Sequence, residues 1–273
     1  MPFIINKGTK IAYEEYGDGP PLILIMGLSA PGAVWELHIN EYKKNFRCIA
    51  VDNRGAGQSS KPSGPYTTKM MADDIAALVK ELKLEKVHVA GISMGGAIAQ
   101  KFTLSHPDMV SSLVLISTWA KFQPFEATCF SHLKDMRKTS SPADFVKLLQ
   151  LWIFSPTFFN QAENLGPLIQ ARETAHKNYM ELDAFCSQAE ACINHDALGD
   201  IHKISVPTLI TVGEKDIFTP LHYSQQINKK IGHSEICIFK DYGHAHHWED
   251  LEKFNQITAE FMKKHTNPIE RQS

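Results

Sequence analysis

The stretch Gly91-Ile92-Ser93-Met94-Gly95 sets a serine between two glycines, directly after the apolar run Val87-His88-Val89-Ala90. A serine hydroxyl becomes a nucleophile once a base takes its proton and a third group orients that base. Candidates for both follow later in the chain. Asp216 closes Val212-Gly213-Glu214-Lys215-Asp216 and His244 closes Asp241-Tyr242-Gly243-His244, each just beyond an apolar, strand-like run. Serine, acid and histidine in that order, at three strand ends, would perform acyl transfer. The hydroxyl would attack a carbonyl, the imidazole would take its proton, and water would release the acyl group as an acid. No metal or organic cofactor is needed. The simpler role for Ser93 is a helix cap; agreement at all three strand ends favours the chemical reading.

The elements that must position these groups follow from apolar periodicity. Residues 3–5, the turn Asn6-Lys7-Gly8 and residues 10–16 read as a hairpin, and Gly17-Asp18-Gly19-Pro20-Pro21 breaks the chain. The unbroken apolar run 22–26 suits a strand covered on both faces. Further strands are expected at 47–51, 86–90, 110–116, 206–212 and 234–239. Helices are expected at 70–82, 94–104 and 251–264; the first sets Met71, Ile75, Leu78, Val79 and Leu82 on one face. A serine between the strand at 86–90 and the helix at 94–104 sits in a tight turn. Glycines two residues away on either side give it room, and the N–H groups of the helix start point to where negative charge would develop. Alternating strands and helices imply a mostly parallel, doubly wound α/β sheet opened by an antiparallel hairpin. Residues 121–200 show no strand and carry aromatic, helix-spaced residues such as Phe145, Leu149 and Trp152. They read as a helical cap over Ser93, inserted into a core of residues 1–120 and 201–273.

Further motifs accompany the three residues. Asp52-Asn53-Arg54-Gly55-x-Gly57-x-Ser59 follows the strand at 47–51. Val206-Pro207-Thr208-Leu209 leads to Gly213-x-Lys215-Asp216, and four residues separate Gly243-His244 from Glu249. With these motifs, residues 22–262 resemble the α/β-hydrolase fold family. The resemblance implies an eight-stranded, mostly parallel sheet with flanking helices and an inserted helical cap. It implies a catalytic triad of Ser93, Asp216 and His244, and an oxyanion hole formed by the backbone N–H groups of Met94 and Leu28. Two positions depart from the pattern: Met26, where many relatives carry histidine, and Ala56, where they often do. A main-chain donor at Leu28 does not depend on the side chain at 26. Trp35, eight residues after Gly27, matches a frequent pocket tryptophan, with the core as its competing place, and Trp152 is the other pocket candidate.

Gly91 to Gly96 followed by Ala97-Ile98-Ala99-Gln100, together with Trp152-x-Phe154-Ser155-Pro156-x-Phe158, resembles the serine esterase and 3-oxoadipate enol-lactonase branch of the family. That implies a carboxylic ester hydrolase whose partner is a small-molecule ester or lactone. A small anionic lactone would want a cation in the pocket, for which Arg137 and Arg172 are the insertion's candidates; a small apolar ester would not. The same triad runs in cofactor-free haloperoxidases and perhydrolases and in carbon–carbon bond hydrolases. The histidine-glycine-rich loop of the carbon–carbon hydrolases is missing around Gly27. A slow-turnover, receptor-like binding protein is the reading from another class.

Composition narrows the rest. A net charge of −2 over 273 residues points away from nucleic acid and anionic membranes as partners. No apolar run is long enough to span a bilayer, and the N-terminus lacks a signal-peptide pattern. The five cysteines are scattered, with no Cys-x-x-Cys pair, so reduced, mostly buried thiols and a cytoplasmic location are expected. The stretch His244-Ala245-His246-His247-Trp248 faintly resembles the His-x-His-x-Asp-His cluster of two-metal hydrolases, but Trp248 stands in the place of the aspartate. No metal is therefore assigned, and His246 and His247 read as loop or pocket-rim residues. Asp52 reads as an Asx-type turn former, and Asp196 as a local cap or ion-pair partner.

Overall fold

The structure is a computed structural model that describes residues 1–177 and 179–266. Eight strands form one sheet: β1 (Phe3–Asn6), β2 (Thr9–Tyr16), β3 (Pro21–Ile25), β4 (Arg47–Val51), β5 (Val87–Ile92), β6 (Val110–Ile116), β7 (Thr208–Gly213) and β8 (Glu235–Phe239). Their order is β1-β2-β4-β3-β5-β6-β7-β8. β1 and β2 are antiparallel, as is β2 against β4, and every later pairing is parallel. The central strands are buried on both faces, which explains why they read as continuous apolar runs rather than alternating ones.

Helices cover both faces. α1 (Glu36–Tyr42), α2 (Thr68–Glu81) and α3 (Met94–Ser105) come between the early strands. The link from β6 to β7 carries α4 (Pro124–Thr139), α5 (Pro142–Ile153), α6 (Pro156–Phe159), α7 (Ala162–Glu173) and α8 (Leu182–Ile193). α9 (Leu221–Lys230) joins β7 to β8, and α10 (His246–Glu249) and α11 (Leu251–Lys264) end the fold. Start signals in the link are legible: proline opens α4, α5 and α6, and the Ser141 and Ser155 hydroxyls accept the N–H groups of Asp144 and Phe158. The two ends of this link meet. Ala197 N donates to Ala120 O at 2.8 Å, Lys121 and Asp196 form an isolated antiparallel bridge, and their side chains pair at 2.6 Å.

Two apolar layers sandwich the sheet. One gathers Ile23, Ile25, Val89 and Leu113 with Phe102 of α3 and Phe185 of α8. The other gathers Leu24, Ala90 and Val114 with Trp35, Tyr42 and Phe254. All five cysteines are free; Cys48 and Cys192 are buried, whereas Cys129, Cys186 and Cys237 are half-buried. Burial of most of the thiols is thus corrected to two of the five, because the other three lie on helix or edge-strand faces turned partly to solvent. Among the described residues no helix is long and apolar enough to cross a membrane.

Candidate active site

β5 ends at Ile92 and α3 begins at Met94, so Ser93 alone makes the turn. Its backbone sits at φ +54°, ψ −117°, a region that non-glycine residues rarely occupy. Hydrogen bonds from both its N–H and its carbonyl hold it there. Ser93 N donates to Ile116 O at 2.8 Å, and Ser93 O accepts Thr118 Oγ1 at 2.8 Å and Gly96 N at 2.9 Å. The flanking glycines are required by close approach. A Cβ on Gly91 would meet Gly95 O at 2.3 Å, and one on Gly95 would meet Ile25 O at 2.1 Å.

Asp216 and His244 come together from the loops after β7 and β8. His244 Nδ1 lies 2.9 Å from Asp216 Oδ2. The other oxygen of Asp216 accepts the backbone N–H groups of Phe218 at 2.9 Å and Thr219 at 2.8 Å. Thr219 Oγ1 lies 2.9 Å from Asp216 Oδ2 and 3.0 Å from both His244 Nδ1 and Ser117 O. Burial alone would raise the Asp216 pKa. The neighbouring His244 and the Thr219 hydrogen bonds outweigh that, and the carboxyl is held below its ordinary range. A carboxylate at Nδ1 fixes the proton there and leaves the Nε2 lone pair able to accept one.

Ser93 and His244 face one cavity of about 210 Å³, whose wall includes Leu28, Phe218 and His247. Among the described residues no hydrogen bond joins Ser93 to His244 Nε2, and the shared cavity is what relates them. A larger hollow of about 730 Å³, lined by Phe154, Asp216 and Ile217 among others, includes neither Ser93 nor His244. The smaller cavity is therefore the candidate active site.

Leu28 lies on the cavity wall in the loop after β3, and Met94 starts α3, where backbone N–H groups have no partner within the helix. Two amides clamp the Leu28 loop. Asn53 Nδ2 donates to Met26 O at 2.9 Å, and the fully buried Gln188 of α8 accepts Ser29 N at 2.9 Å while donating to Arg54 O at 2.8 Å.

Neither tryptophan lines the cavity. Trp35 is fully buried in the apolar layer beside His38, because it opens α1 against that face of the sheet. Trp152 packs edge-on against Phe218 at 5.7 Å and stands behind that wall residue. The arginines are also engaged elsewhere. Arg137 bonds Met180 O and stacks on Tyr179, and Arg172 bonds Gln150. His246 bonds Ser117 and Thr211 through its two ring nitrogens, and His247 bonds His38 through Nδ1. Asp52 accepts Gly32 N at 2.7 Å and Gln58 N at 2.8 Å, which is turn-forming work, and Asp196 accepts Leu198 N and pairs with Lys121.

The family model for the alpha/beta hydrolase fold matches residues 20–251. The chain belongs to the α/β-hydrolase family. Over 266 residues it is 28% identical to the protein named "Putative carbamate hydrolase RutD" of Serratia proteamaculans, covering 97% of this chain and 96% of that one. An esterase from Exiguobacterium antarcticum superposes with a TM-score of 0.86 at 28% identity, over 96% of this chain and 98% of the other. An enol-lactonase from Burkholderia xenovorans superposes with a TM-score of 0.87 at 21% identity, over 96% and 100%, a likeness of fold.

For this α/β hydrolase, sequence reasoning had singled out Glu249 only as part of a motif. Its carboxylate accepts Gly243 N at 2.9 Å and Ser155 N at 3.2 Å and takes the Ser155 hydroxyl, tying the His244 loop to the helices above it. Gln188, Thr219, Thr118 and His38 were missed. Thr219 had a signal, since a threonine three residues after an aspartate often closes an Asx turn. Gln188 had none: a glutamine inside a helix reads as surface.

Proposed function

We propose that the protein is a serine hydrolase that cleaves a small, neutral carboxylic ester through an acyl-enzyme on Ser93. The observation that carries this reading is the cavity wall. It holds Ser93 and His244, the remainder is mainly apolar, and neither lysine nor arginine is among its lining residues. A carboxylate-bearing lactone would lose its hydration there without gaining a cation, which is costly. An uncharged ester would not.

In this mechanism Ser93 Oγ attacks the carbonyl carbon and its proton passes to His244 Nε2. Asp216 stabilises the imidazolium through Nδ1–H, and the N–H groups of Met94 and Leu28 receive the oxyanion. Collapse of the adduct expels the alcohol, which leaves with the proton from His244. Water, deprotonated by His244, then attacks the acyl-enzyme, and the acid is released as Ser93 regains its proton. A carbamate presents the same kind of carbonyl, and the likeness to the Serratia relative makes it the second substrate class to assay.

The test is a panel of p-nitrophenyl acetate and butyrate, a neutral lactone, a carboxylate-bearing enol-lactone and an alkyl carbamate. Wild type and Ser93→Ala are compared, with and without a chelator. The expected pattern is turnover of the neutral esters, loss of that turnover in Ser93→Ala, and indifference to the chelator. Activity that survives Ser93→Ala sinks the mechanism, and preference for the anionic lactone sinks the substrate class.

A further inference from the structure

The catalytic reading leaves one imidazole on the cavity wall without a task. His247 is only 2% exposed, lines the cavity with Ser93, and its Nδ1 is bonded at 3.1 Å to Nε2 of His38. His38, fully buried, is bonded in turn through its own Nδ1 to Asn255 Oδ1 at 2.6 Å. An amide oxygen can only accept, so the direction of the whole chain is set from that end. His38 Nδ1 carries the proton and donates to Asn255. His38 Nε2 is then a lone pair, and it must receive a proton from His247 Nδ1. A neutral His247 is thereby left with a bare Nε2, which has no protein partner among the described residues.

Charging either ring would place a cation beside its neighbour with no carboxylate bonded to it. Burial, the largest effect on both, holds His38 down at about 4 and His247 well below the ordinary imidazole value. The other side-chain polar groups facing the cavity are different in kind. Ser93 and His244 are occupied by the proposed reaction, the Ser29 hydroxyl can rotate to give or to accept, and the Trp248 indole N–H can only donate.

We propose that His247 is a specificity-determining residue whose bare Nε2 selects substrates carrying a neutral hydrogen-bond donor, a hydroxyl or an amide-type N–H, near the scissile carbonyl. The proposal rests on the serine-hydrolase reading and narrows its substrate class from neutral esters to hydroxylated or amide-bearing ones. An aliphatic substrate leaves a buried acceptor unpaired in the complex, whereas a donor-bearing one satisfies it. Discrimination from that difference is on the order of tenfold in kcat/KM.

The experiment compares matched ester pairs that differ by one hydroxyl. p-Nitrophenyl butyrate is set against its 2-hydroxy and 3-hydroxy forms, and propyl butyrate against 2-hydroxyethyl butyrate. Wild type is expected to prefer at least one hydroxylated member on the order of tenfold, and His247→Phe to bring that ratio near one. Because His247→Phe disturbs a buried bond and folding can suffer, the tautomer is read independently in wild type by long-range proton–nitrogen NMR of the imidazoles. Nδ1 of His247 should carry the proton and Nε2 none. Parity of wild type on every pair overturns the proposal, as does a proton on Nε2. Ester turnover that persists in Ser93→Ala would instead overturn the reading beneath it, and the NMR result would then still decide the tautomer.

Discussion

Acid should unfold this protein earlier than its carboxylates alone would require. Five histidines, His38, His88, His195, His246 and His247, are each at most 2% exposed. Their bonding partners are neutral groups: Asn255 and His247 for His38, Ser112 and Thr266 for His88, Thr68 and Gln100 for His195, Ser117 and Thr211 for His246. Burial, with no bonded carboxylate to offset it, holds His38 and His88 down at about 4, His195 and His246 at about 3, and His247 well below its usual value. An unfolded chain binds those protons near pH 6.5. A depressed folded pKa therefore gives stability that is complete above about pH 6.5 and is lost as pH falls toward 4. At pH 5.5 each unfolded imidazole gains about 1.4 kcal/mol, and five give about 7 kcal/mol. Partial relaxation of the folded rings toward water brings the expected loss to about 3–7 kcal/mol, a large share of a typical domain's stability. Asp216, held low by His244 and Thr219 against its burial, adds a loss of the same sign at lower pH. Glu249, raised chiefly by burial, works the other way. The assay is urea unfolding at pH 7.5 and 5.5, analysed by linear extrapolation. A difference below about 1 kcal/mol would mean that the rings are charged or hydrated in the folded state, and the reasoning fails.

Three other outcomes bear on the site. Gln188→Leu leaves Ser29 N–H and Arg54 O without their partner and frees the Leu28 loop. It should cost about 2–4 kcal/mol in urea unfolding and lower kcat on p-nitrophenyl butyrate about 10–100-fold; an unchanged kcat would separate the clamp from the oxyanion hole. Asp216→Asn should lower kcat about 10⁴-fold while the fold persists, because an amide no longer enforces the Nδ1–H tautomer; retention of a tenth of wild-type rate would remove Asp216 from the mechanism. Gly95→Ala drives a methyl into Ile25 O and should leave little folded, active protein, as checked by circular dichroism and turnover of the same ester; normal folding and turnover would contradict the close approach at the turn.

The sheet was legible because the parallel strands are covered on both faces and so stand out as apolar runs. The strand expected at 110–116 is β6 residue for residue, and the helix expected at 251–264 is α11. The helix expected at 70–82 begins two residues earlier, where Thr67 accepts the N–H of Met70 and caps α2. Three helices were not foreseen: α10, a single turn at His246–Glu249 where His246 and His247 read as loop or pocket-rim residues, and the longer α1 and α9. α1 has seven residues, and one of its core anchors is His38, a polar residue that reads as surface. α9 buries Tyr223, Ser224 and Ile227 on an otherwise polar ten-residue stretch, so its apolar stripe is thin. In the candidate site, Ser93, Asp216 and His244 could be marked because each follows a strand. Gln188 and His38 could not, because their work depends on residues distant in sequence, Ser29 and Arg54 for one and His247 and Asn255 for the other. Trp35 took the core rather than the pocket, the two places open to it, because spacing after Gly27 suggests a neighbourhood but not which way the ring turns.

The meeting of Ala120 with Ala197, and of Lys121 with Asp196, has a consequence for how such a protein can change. β6 and β7 are adjacent parallel strands, and the long link between them departs and returns through one doorway. The cost of closing a loop rises only slowly with its length, so a longer or shorter link could be grafted between the same two residues with little penalty to the sheet. Ser93, Asp216 and His244 all lie outside that link, whereas Leu149, Ile153 and Phe185 of the cavity wall lie within it. Exchange at the doorway would therefore re-tailor the wall in one step and leave Ser93, Asp216 and His244 where they are. Gln188 and Ser155 set the limit on such grafting, since a transplanted segment must bring its own partners for Ser29, Arg54 and Glu249.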